Sequence, residues 1–420
     1  MTVLRRGATA ADGGETTVPL RALRAVAAVA STGSVSQAAL ALHQSAAAVS
    51  RAVQGAEQEL GVALFERAAR GMLPTAAGEV LALRVARALQ ALQAAAQGLR
   101  ARGAPASVAS LPRLASDALL LALVARAGHP TEAAAASAAG LSQPALHQAL
   151  RRLEHAAKTP LYERTRLGAR LNESGEWLLQ QAKVSLAEIR VGHEELARWR
   201  GRGEALLAIG SLPMASDVLV PQAVAQALAQ RPELRITVKD GTYESLTRLL
   251  RNAEIDFMVG PLRGDERAGD LAEEVLYVDR FVAVVRSGHP LLAGGRRASL
   301  RRLAPYPWIG PLPGTPAHAV FERLFAQAGL AQPVVTLRAH STAVVRSVLL
   351  AGDHVALLSP LQVHAEVQAG LLACASAPLP GSERAIGITQ RRDALASSAC
   401  TDVLAMLRRV AADAQAMLPR

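Results

Sequence analysis

Over residues 18–30, apolar positions recur at Leu20, Leu23, Val26, Ala27 and Ala30, the period of a helix with one buried face. Thr32-Gly33-Ser34 ends it, and Ser34 stands where a cap would open a second helix over 35–42. His43-Gln44 makes a short turn, and Ser45 caps a third helix running to about Leu60. Leu64 to Leu73, with Gly71 at its bend, suits a small hairpin. Two short helices joined by a tight turn and followed by a hairpin predict a winged helix-turn-helix.

The same pattern returns. Ser45 through Glu79 aligns with Ser142 through Glu176 at a fixed offset of 97 without a gap, and ten of the 35 positions are identical. Leu64-Phe65-Glu66-Arg67 faces Leu161-Tyr162-Glu163-Arg164, Gly71 faces Gly168, and Gly78-Glu79 faces Gly175-Glu176. An offset of that length is too long for a solenoid repeat, so it marks a duplicated small domain. The second copy is expected as helices over 116–127, 131–139 and 142–156, with its hairpin at 161–171.

After each copy comes a long amphipathic stretch. Leu81, Val85, Ala88, Leu92, Ala95 and Leu99 alternate steps of four and three, as do Leu179, Ala182, Leu186, Ile189, His193 and Leu196. Both read as coiled-coil seams, serving either a partner chain or a bundle within one chain. Residues 102–107, Arg-Gly-Ala-Pro-Ala-Ser, are expected to be a short flexible linker between the copies. His193-Glu194-Glu195 begins like a zinc motif, but its second histidine would fall at Ala197.

From Glu204 short apolar runs alternate with helices. Strands are expected at 205–210, 234–239, 255–260, 280–285, 308–310, 334–337 and 355–358, with helices near 217–230, 242–252, 316–328, 342–351 and 401–417. Such alternation predicts parallel, doubly wound α/β sheets, with ligands beyond the carboxyl ends of the strands.

Composition narrows the function. Half of the 420 residues are apolar and 19% are charged, enough for a sizeable core. The absence of a long uncharged apolar run and of an apolar leader predicts a soluble, cytoplasmic chain with no membrane partner. Cys374 and Cys400 make neither a disulfide framework nor a zinc site. The net charge of +11 is uneven: residues 1–200 hold 23 basic and 15 acidic side chains, while the rest hold 23 and 20. A basic excess over the helical half is the footprint of a polyanion partner. No G-x-S-x-G, P-loop or G-x-G-x-x-G motif stands at a strand–helix junction, so neither an enzyme nor a catalytic residue is expected.

The residues resemble a known family. Ser34-Val35-Ser36-Gln37-Ala38-Ala39, Ser50-Arg51, Glu57, Glu59-Leu60-Gly61-Val62 and Leu64-Phe65-Glu66-Arg67 are similar to the winged helix-turn-helix of LysR-type transcriptional regulators, and residues 74–79 continue the match. The second copy resembles the module through Leu141 to Leu146 and Leu161 to Thr165. The tandem is unusual, and each copy departs from the pattern: the first has Ala46-Ala47 where Gln-Pro is usual, the second His147-Gln148 where Ser-Arg is usual. Residues 209–213, 255–260, 287–291 and 351–356 resemble the family's effector-binding domain.

The resemblance implies two α-rich winged helix-turn-helix domains with linker helices, then a periplasmic-binding-protein-like α/β effector domain of two subdomains. The expected boundaries are a disordered tail 1–16, module one 17–75, a long helix 76–102, a linker 103–112, module two 113–172, a linker or dimerisation helix 173–201, and the effector domain 204–420. The chain is expected to pass between subdomains near Val285 and Ser359.

DNA-binding candidates are Ser34, Gln37, Ser45, Ser50, Arg51, Gln54, Ser142, Gln143, Pro144, His147, Gln148 and Arg151. The amide of Gln143 suits adenine, Arg51 suits guanine or a phosphate, and the serines suit phosphates. Effector-binding candidates are Ser211, Leu212, Pro213, Met214, Gly260, Pro261, Gly314, Thr315, Thr342 and Ser359, at loops that open helices. No metal or cofactor is expected; the effector would be a small organic or aromatic acid or a sugar. Implied partners are double-stranded DNA, the effector, RNA polymerase, and further copies in a homodimer or homotetramer through linker helices and effector domains. The alternative is the same sensor with one helix-turn-helix reading DNA and the other serving oligomerisation or partner contact.

Overall fold

The computed structural model describes residues 18–418 apart from 69–70, 167, 202, 214, 216, 265–268, 294 and 296. The expected tail at 1–16 and Met214 lie outside the described residues. The chain divides near Ala205 into two compact units. No single helix among the described residues is long and apolar enough to cross a membrane.

The first copy folds as α1 (Leu20–Thr32), α2 (Val35–Leu42), α3 (Ala46–Leu60), the hairpin β1 (Phe65–Ala68) and β2 (Gly71–Pro74), and α4 (Ala76–Ala101). After a short α5 (Leu111–Leu114), the second repeats it: α6 (Asp117–Gly128), α7 (Glu132–Ala139), α8 (Gln143–Ala157), β3 (Tyr162–Thr165), β4 (Gly168–Leu171) and α9 (Glu173–Trp199). The matched residues do matched work. Glu57 Oε1 accepts the N–H groups of Leu64 and Phe65 at 2.8 and 3.1 Å, and Glu154 Oε1 accepts that of Leu161 at 2.9 Å. These bonds lock each hairpin to its preceding helix. The repeated Gly-Glu has a steric cause: a Cβ at Gly78 would sit 2.0 Å from the Leu64 carbonyl oxygen, and one at Gly175 2.2 Å from that of Leu161.

Leu81, Val85, Ala88, Leu92, Ala95 and Leu99 are all buried on α4, as the seam predicts. They meet α9 of the same chain, so the α4 seam closes within one chain. The helices run antiparallel. Trp177, near the start of α9, lies at Gly98 near the end of α4, and its Nε1 donates to Ala95 O at 3.3 Å. Toward the other end Arg84 reaches Glu195, and beyond α9 Arg200 Nη1 donates to Leu60 O at 2.8 Å. The buried face of α9 differs from the apolar reading: it carries Leu178, Gln181, Ala182, Ser185, Glu188, Ile189, Gly192 and Leu196, while Leu179, Leu186 and His193 stand to one side, half-buried. The reason is Arg84, whose guanidinium binds Glu195 through two bonds of 2.9 Å and Glu188 through one of 3.0 Å.

The expected flexible linker is folded. Ala104 N–H returns to Leu99 O at 3.0 Å, and Val108 and Leu111 are buried in the common core, so apolar burial outweighs the flexibility of its Gly and Pro.

At α1 and α6 equivalent residues touch: Leu20 N–H donates to Asp117 Oδ2 at 2.8 Å, across a separation of 97 residues, the repeat offset itself. The neighbouring Arg24 Nη2 donates to Ala115 O at 2.7 Å. His193 has its Nε2 buried without a hydrogen-bond partner among the described residues. Burial lowers its pKa, against the attraction of Asp117. An imidazole that resists protonation when folded contributes stability above its unfolded pKa of about 6.5, and loses it as pH falls below that value. The urea midpoint of the N-terminal unit is therefore expected to drop from pH 7.5 to 5.5 in the parent and to drop less in His193→Leu; equal drops would contradict the assignment.

Among the described residues the second unit holds ten strands: β5 (Ala205–Ser211), β6 (Leu234–Asp240), β7 (Phe257–Pro261), β8 (Leu271–Asp279), β9 (Val282–Arg286), β10 (Trp308–Gly310), β11 (Val335–Arg338), β12 (Val355–Leu358), β13 (Leu372–Cys374) and β14 (Arg384–Arg391). They form two sheets, ordered β6-β5-β7-β14-β8 and β11-β10-β12-β9-β13. Wholly parallel sheets were expected, but both are mixed. β14 runs antiparallel to β7 and β8, and β9 antiparallel to β12 and β13. These reversed strands belong to the segments that cross between subdomains. The crossings lie at Arg280-Phe281 and at 375–383, not at Val285 and Ser359, which sit within β9 and after β12. The two crossings are tied together: Phe281 N–H donates to Ser382 Oγ at 3.0 Å, and Arg384 covers the Phe281 ring at 3.9 Å. In the second subdomain the buried Trp308 packs edge-on against Phe321 and Phe325, with centroids 5.4 and 5.3 Å away.

Candidate functional site

Each candidate recognition helix, α3 and α8, is anchored by one face and bare on the other. α3 buries Val49, Val53 and Ala56, and α8 buries Leu146, Ala149, Leu150, Leu153, Ala156 and Ala157. Outward on α3 stand Arg51 and Gln54, with Ser50 half-buried beside them. Outward on α8 stand Gln143, Pro144, His147, Gln148 and Arg151. The serines at the helix starts are caps: Ser34, Ser45 and Ser142 Oγ accept the N–H groups of Gln37, Ala48 and Ala145 at 3.4, 3.2 and 3.3 Å. A capping hydroxyl accepts with oxygen and keeps its proton to donate, so this role leaves the serines able to bond an anion. Gln37 is itself exposed at the start of α2.

Sequence reasoning passed over the wings. Arg67 on β1 and Arg164 on β3 are exposed at equivalent positions, and Arg166 stands exposed on the second hairpin. The repeated Glu66-Arg67 and Glu163-Arg164 are the sequence signal that points to them.

In the second unit the candidates gather at the carboxyl ends of strands, where a doubly wound sheet takes ligands. Ser211 ends β5, Gly260 and Pro261 end β7, Gly314 and Thr315 follow β10, Thr342 follows β11, and Ser359 follows β12. Their surroundings sort them. Pro213 is half-exposed in the loop after β5. Leu212 belongs to the core of the first subdomain with Leu246 and Met258, and a Cβ at Gly260 would meet it at 2.6 Å, so both positions are set by packing. Thr315 is a cap, its Oγ1 accepting from His318 N–H at 3.2 Å. Gly314 is exposed beside it.

Thr342 and Ser359 enter a buried polar network whose charged members the sequence did not reveal. Gln362 Nε2 donates to Asp217 Oδ2 at 3.0 Å and to Thr342 Oγ1 at 3.3 Å, while its Oε1 accepts Ser359 N–H at 3.1 Å. Arg346 lies 3.6 Å from Asp217 and 3.4 Å from Glu366, and its Nη2 donates to Gln362 O. Asp217 belongs to the loop after β5, in the first subdomain, whereas Gln362, Thr342 and Arg346 belong to the second. The network therefore bridges the two sheets. Burial raises the Asp217 pKa, against the bond from Gln362 and the charge of Arg346. Ser359 Oγ also donates to Asp279 Oδ1 at 2.9 Å, joining the network to the crossing strands.

Comparison with known proteins agrees with this layout. The LysR substrate binding domain family matches residues 200–412, and the bacterial regulatory helix-turn-helix family of lysR type matches twice, at 20–79 and 117–176. The HTH-type transcriptional regulator GalR of Pseudomonas putida is 32% identical over 392 residues, covering 93% of this chain and 97% of that relative. The uncharacterized HTH-type regulator YdcI of Escherichia coli is 29% identical over 286 residues, 68% of this chain and 92% of its own. Full-length LysG of Corynebacterium glutamicum, solved with bound effector Arg, shares the fold with a TM-score of 0.51 at 19% identity, covering 70% of this chain and 97% of that one. A variant of full-length OxyR from Pseudomonas aeruginosa gives 0.50 at 19% identity, covering 72% and 98%. These relatives are transcriptional regulators rather than enzymes. The chain belongs to the LysR family of transcriptional regulators, with a DNA-binding helix-turn-helix and a C-terminal effector-binding domain.

Proposed function

We propose that the protein reads double-stranded DNA through α3 and α8, steadies itself on phosphates through the capping serines and wing arginines, and responds to a small organic acid in the cleft between its two sheets. The pair of bare recognition faces carries this reading. Arg51 and Gln54 on one helix, and Gln143, His147, Gln148 and Arg151 on the other, are exposed without a hydrogen-bond or ion-pair partner among the described residues. A guanidinium so placed pairs with guanine, an amide with adenine. In the cleft, a ligand carboxylate that takes the place of Asp217 at Gln362 and Arg346 exchanges one buried anion for another and removes a tie between the subdomains. Subdomain closure would follow ligand occupancy, and the geometry imposed on DNA with it.

Footprints on DNA upstream of the protein's own gene test the reading. Each lost bidentate base contact costs about 1–3 kcal/mol, so Arg51→Ala with Gln143→Ala is expected to weaken specific protection at least roughly thirtyfold. An unchanged footprint in the double variant would contradict these roles. Loss in only one of the single variants would mean that one head reads and the other serves partner contact.

A further inference from the structure

We infer that one chain is a complete two-headed reader and that its operator is asymmetric: two inverted, non-identical half-sites about one turn of duplex apart. The inference rests on the DNA-reading role proposed above and goes beyond it in saying what is read and by how many chains.

The first support is that the seam between the copies fits only unlike halves. Arg84 on α4 finds its acids, Glu188 and Glu195, on α9. At the offset of 97, the α4 counterparts of those acids are Ala91 and Gly98, and the α9 counterpart of Arg84 is Gln181. Pairing two first copies from different chains would bury Arg84 with no carboxylate opposite it. Pairing two second copies would bury Glu188 with no guanidinium, and would set Trp177 against Glu195 where it now meets Gly98. A buried charge deprived of its partner is strongly unfavourable, so the seam selects first copy with second. The ordered connector, with Val108 and Leu111 buried, holds the matching halves beside each other in one chain, which favours the intrachain pair over exchange with a neighbour.

The second support is the arrangement of the heads. Equivalent residues Leu20 and Asp117 meet, and α4 and α9 run antiparallel, so the copies are related by an approximate twofold axis. Heads related in this way read half-sites in opposite orientations. The modules join the helix pair at opposite ends, since each precedes the N-terminus of its own helix. α4 has 26 residues, a length of roughly 39 Å, near the 34–36 Å spacing of successive major-groove faces.

The third support is that the outward side chains differ at five equivalent positions, while the capping Ser45 and Ser142 are the same. Ala46 answers to Gln143, Ala47 to Pro144, Ser50 to His147, Arg51 to Gln148, and Gln54 to Arg151. The order of guanidinium and amide is reversed along the two helices. Identical half-sites would leave one head mismatched.

Selection of random duplexes by the full-length protein tests the inference. The expected product carries two different half-sites in inverted orientation, centred about one turn apart. A swapped chain carrying Ala46→Gln, Ala47→Pro, Ser50→His, Arg51→Gln and Gln54→Arg is expected to bind that product at least tenfold more weakly and to select a palindrome of the half read by α8. Circular dichroism of the swapped chain checks that its helices persist. A palindrome selected by the parent would overturn the inference while leaving the DNA-reading role intact, as would a single half-site. Enrichment of no sequence by the parent would overturn the DNA-reading role and the inference together.

Discussion

Replacing Arg84 by alanine is expected to cost about 3–5 kcal/mol, the range for stranding one member of a buried ion pair. Arg84 is 2% exposed, and its partner Glu188 is 4% exposed. Burial opposes its charge, but the bonds to Glu195 and Glu188 outweigh that and raise its pKa. Arg87 also reaches Glu188, through Oε1 at 3.0 Å, so one oxygen keeps a partner while the other loses it. For a unit of this size the loss corresponds to a fall in Tm of roughly 6–20 °C, measurable by calorimetry on the full chain. The combination Arg84→Met with Glu188→Leu and Glu195→Leu is expected to recover most of it, because an apolar replacement of a whole buried ionic cluster is often neutral or stabilising. A single variant as stable as the parent would mean that the ion pair does not hold the copies together.

The second large effect is expected at Asp279, on the last position of β8 where the chain leaves the first subdomain. Its carboxylate is fully buried and accepts from Arg384 through Nε at 3.0 Å and Nη2 at 2.6 Å, as well as from Ser359 Oγ. Asp279→Ala removes the acceptor for all three donors. Arg384 stays over Phe281 and its side chain is 16% exposed, so water relieves part of the penalty. The expected loss is about 3 kcal/mol, at the low end for a broken buried pair. It should appear in the thermal transition of the C-terminal unit and leave that of the N-terminal unit in place. A shift below about 1 °C, against the roughly 6 °C or more that such a loss implies, would show that the crossings are held by packing alone.

The helical half was legible because helix signals are local. Caps at Ser34, Ser45 and Ser142, and the apolar step of α4, carry their meaning within one turn or two. The face of α9 was not legible from its own sequence: Ser185, Glu188 and Gly192 look like solvent positions until Arg84 and Leu81 arrive from a distant helix. β9 lies where a strand was expected, whereas β8 and β14, on the first-sheet side of the crossings, were missed for a related reason. β8 reads Leu-Ala-Glu-Glu-Val-Leu-Tyr-Val-Asp and lies at a sheet edge with much of its length exposed, so it offers no continuous apolar run. Between the two sheets, Thr342 and Ser359 were legible as candidates because they stand at helix starts. Asp217, Arg346, Gln362 and Glu366 come from separate segments, and no spacing relates them. The intimate seam also alters how the heads should be tested: deleting residues 1–110 would strip the cover from Leu178, Glu188 and Ile189, so surface substitutions on α3 and α8 are the cleaner probe.

The pairing of the two copies within one chain is tested most directly by a distance. Spin labels at Gln97→Cys and Glu176→Cys lie on exposed positions of α4 and α9, in a chain with the native Cys374 and Cys400 replaced. Packed helices have axes about 8–10 Å apart. Pulsed electron resonance on the full-length protein should give one short distance, extended only by the label arms and unchanged by a tenfold excess of unlabelled chain. A long distance, or a short one that disappears on dilution with unlabelled chain, would contradict the intrachain pair.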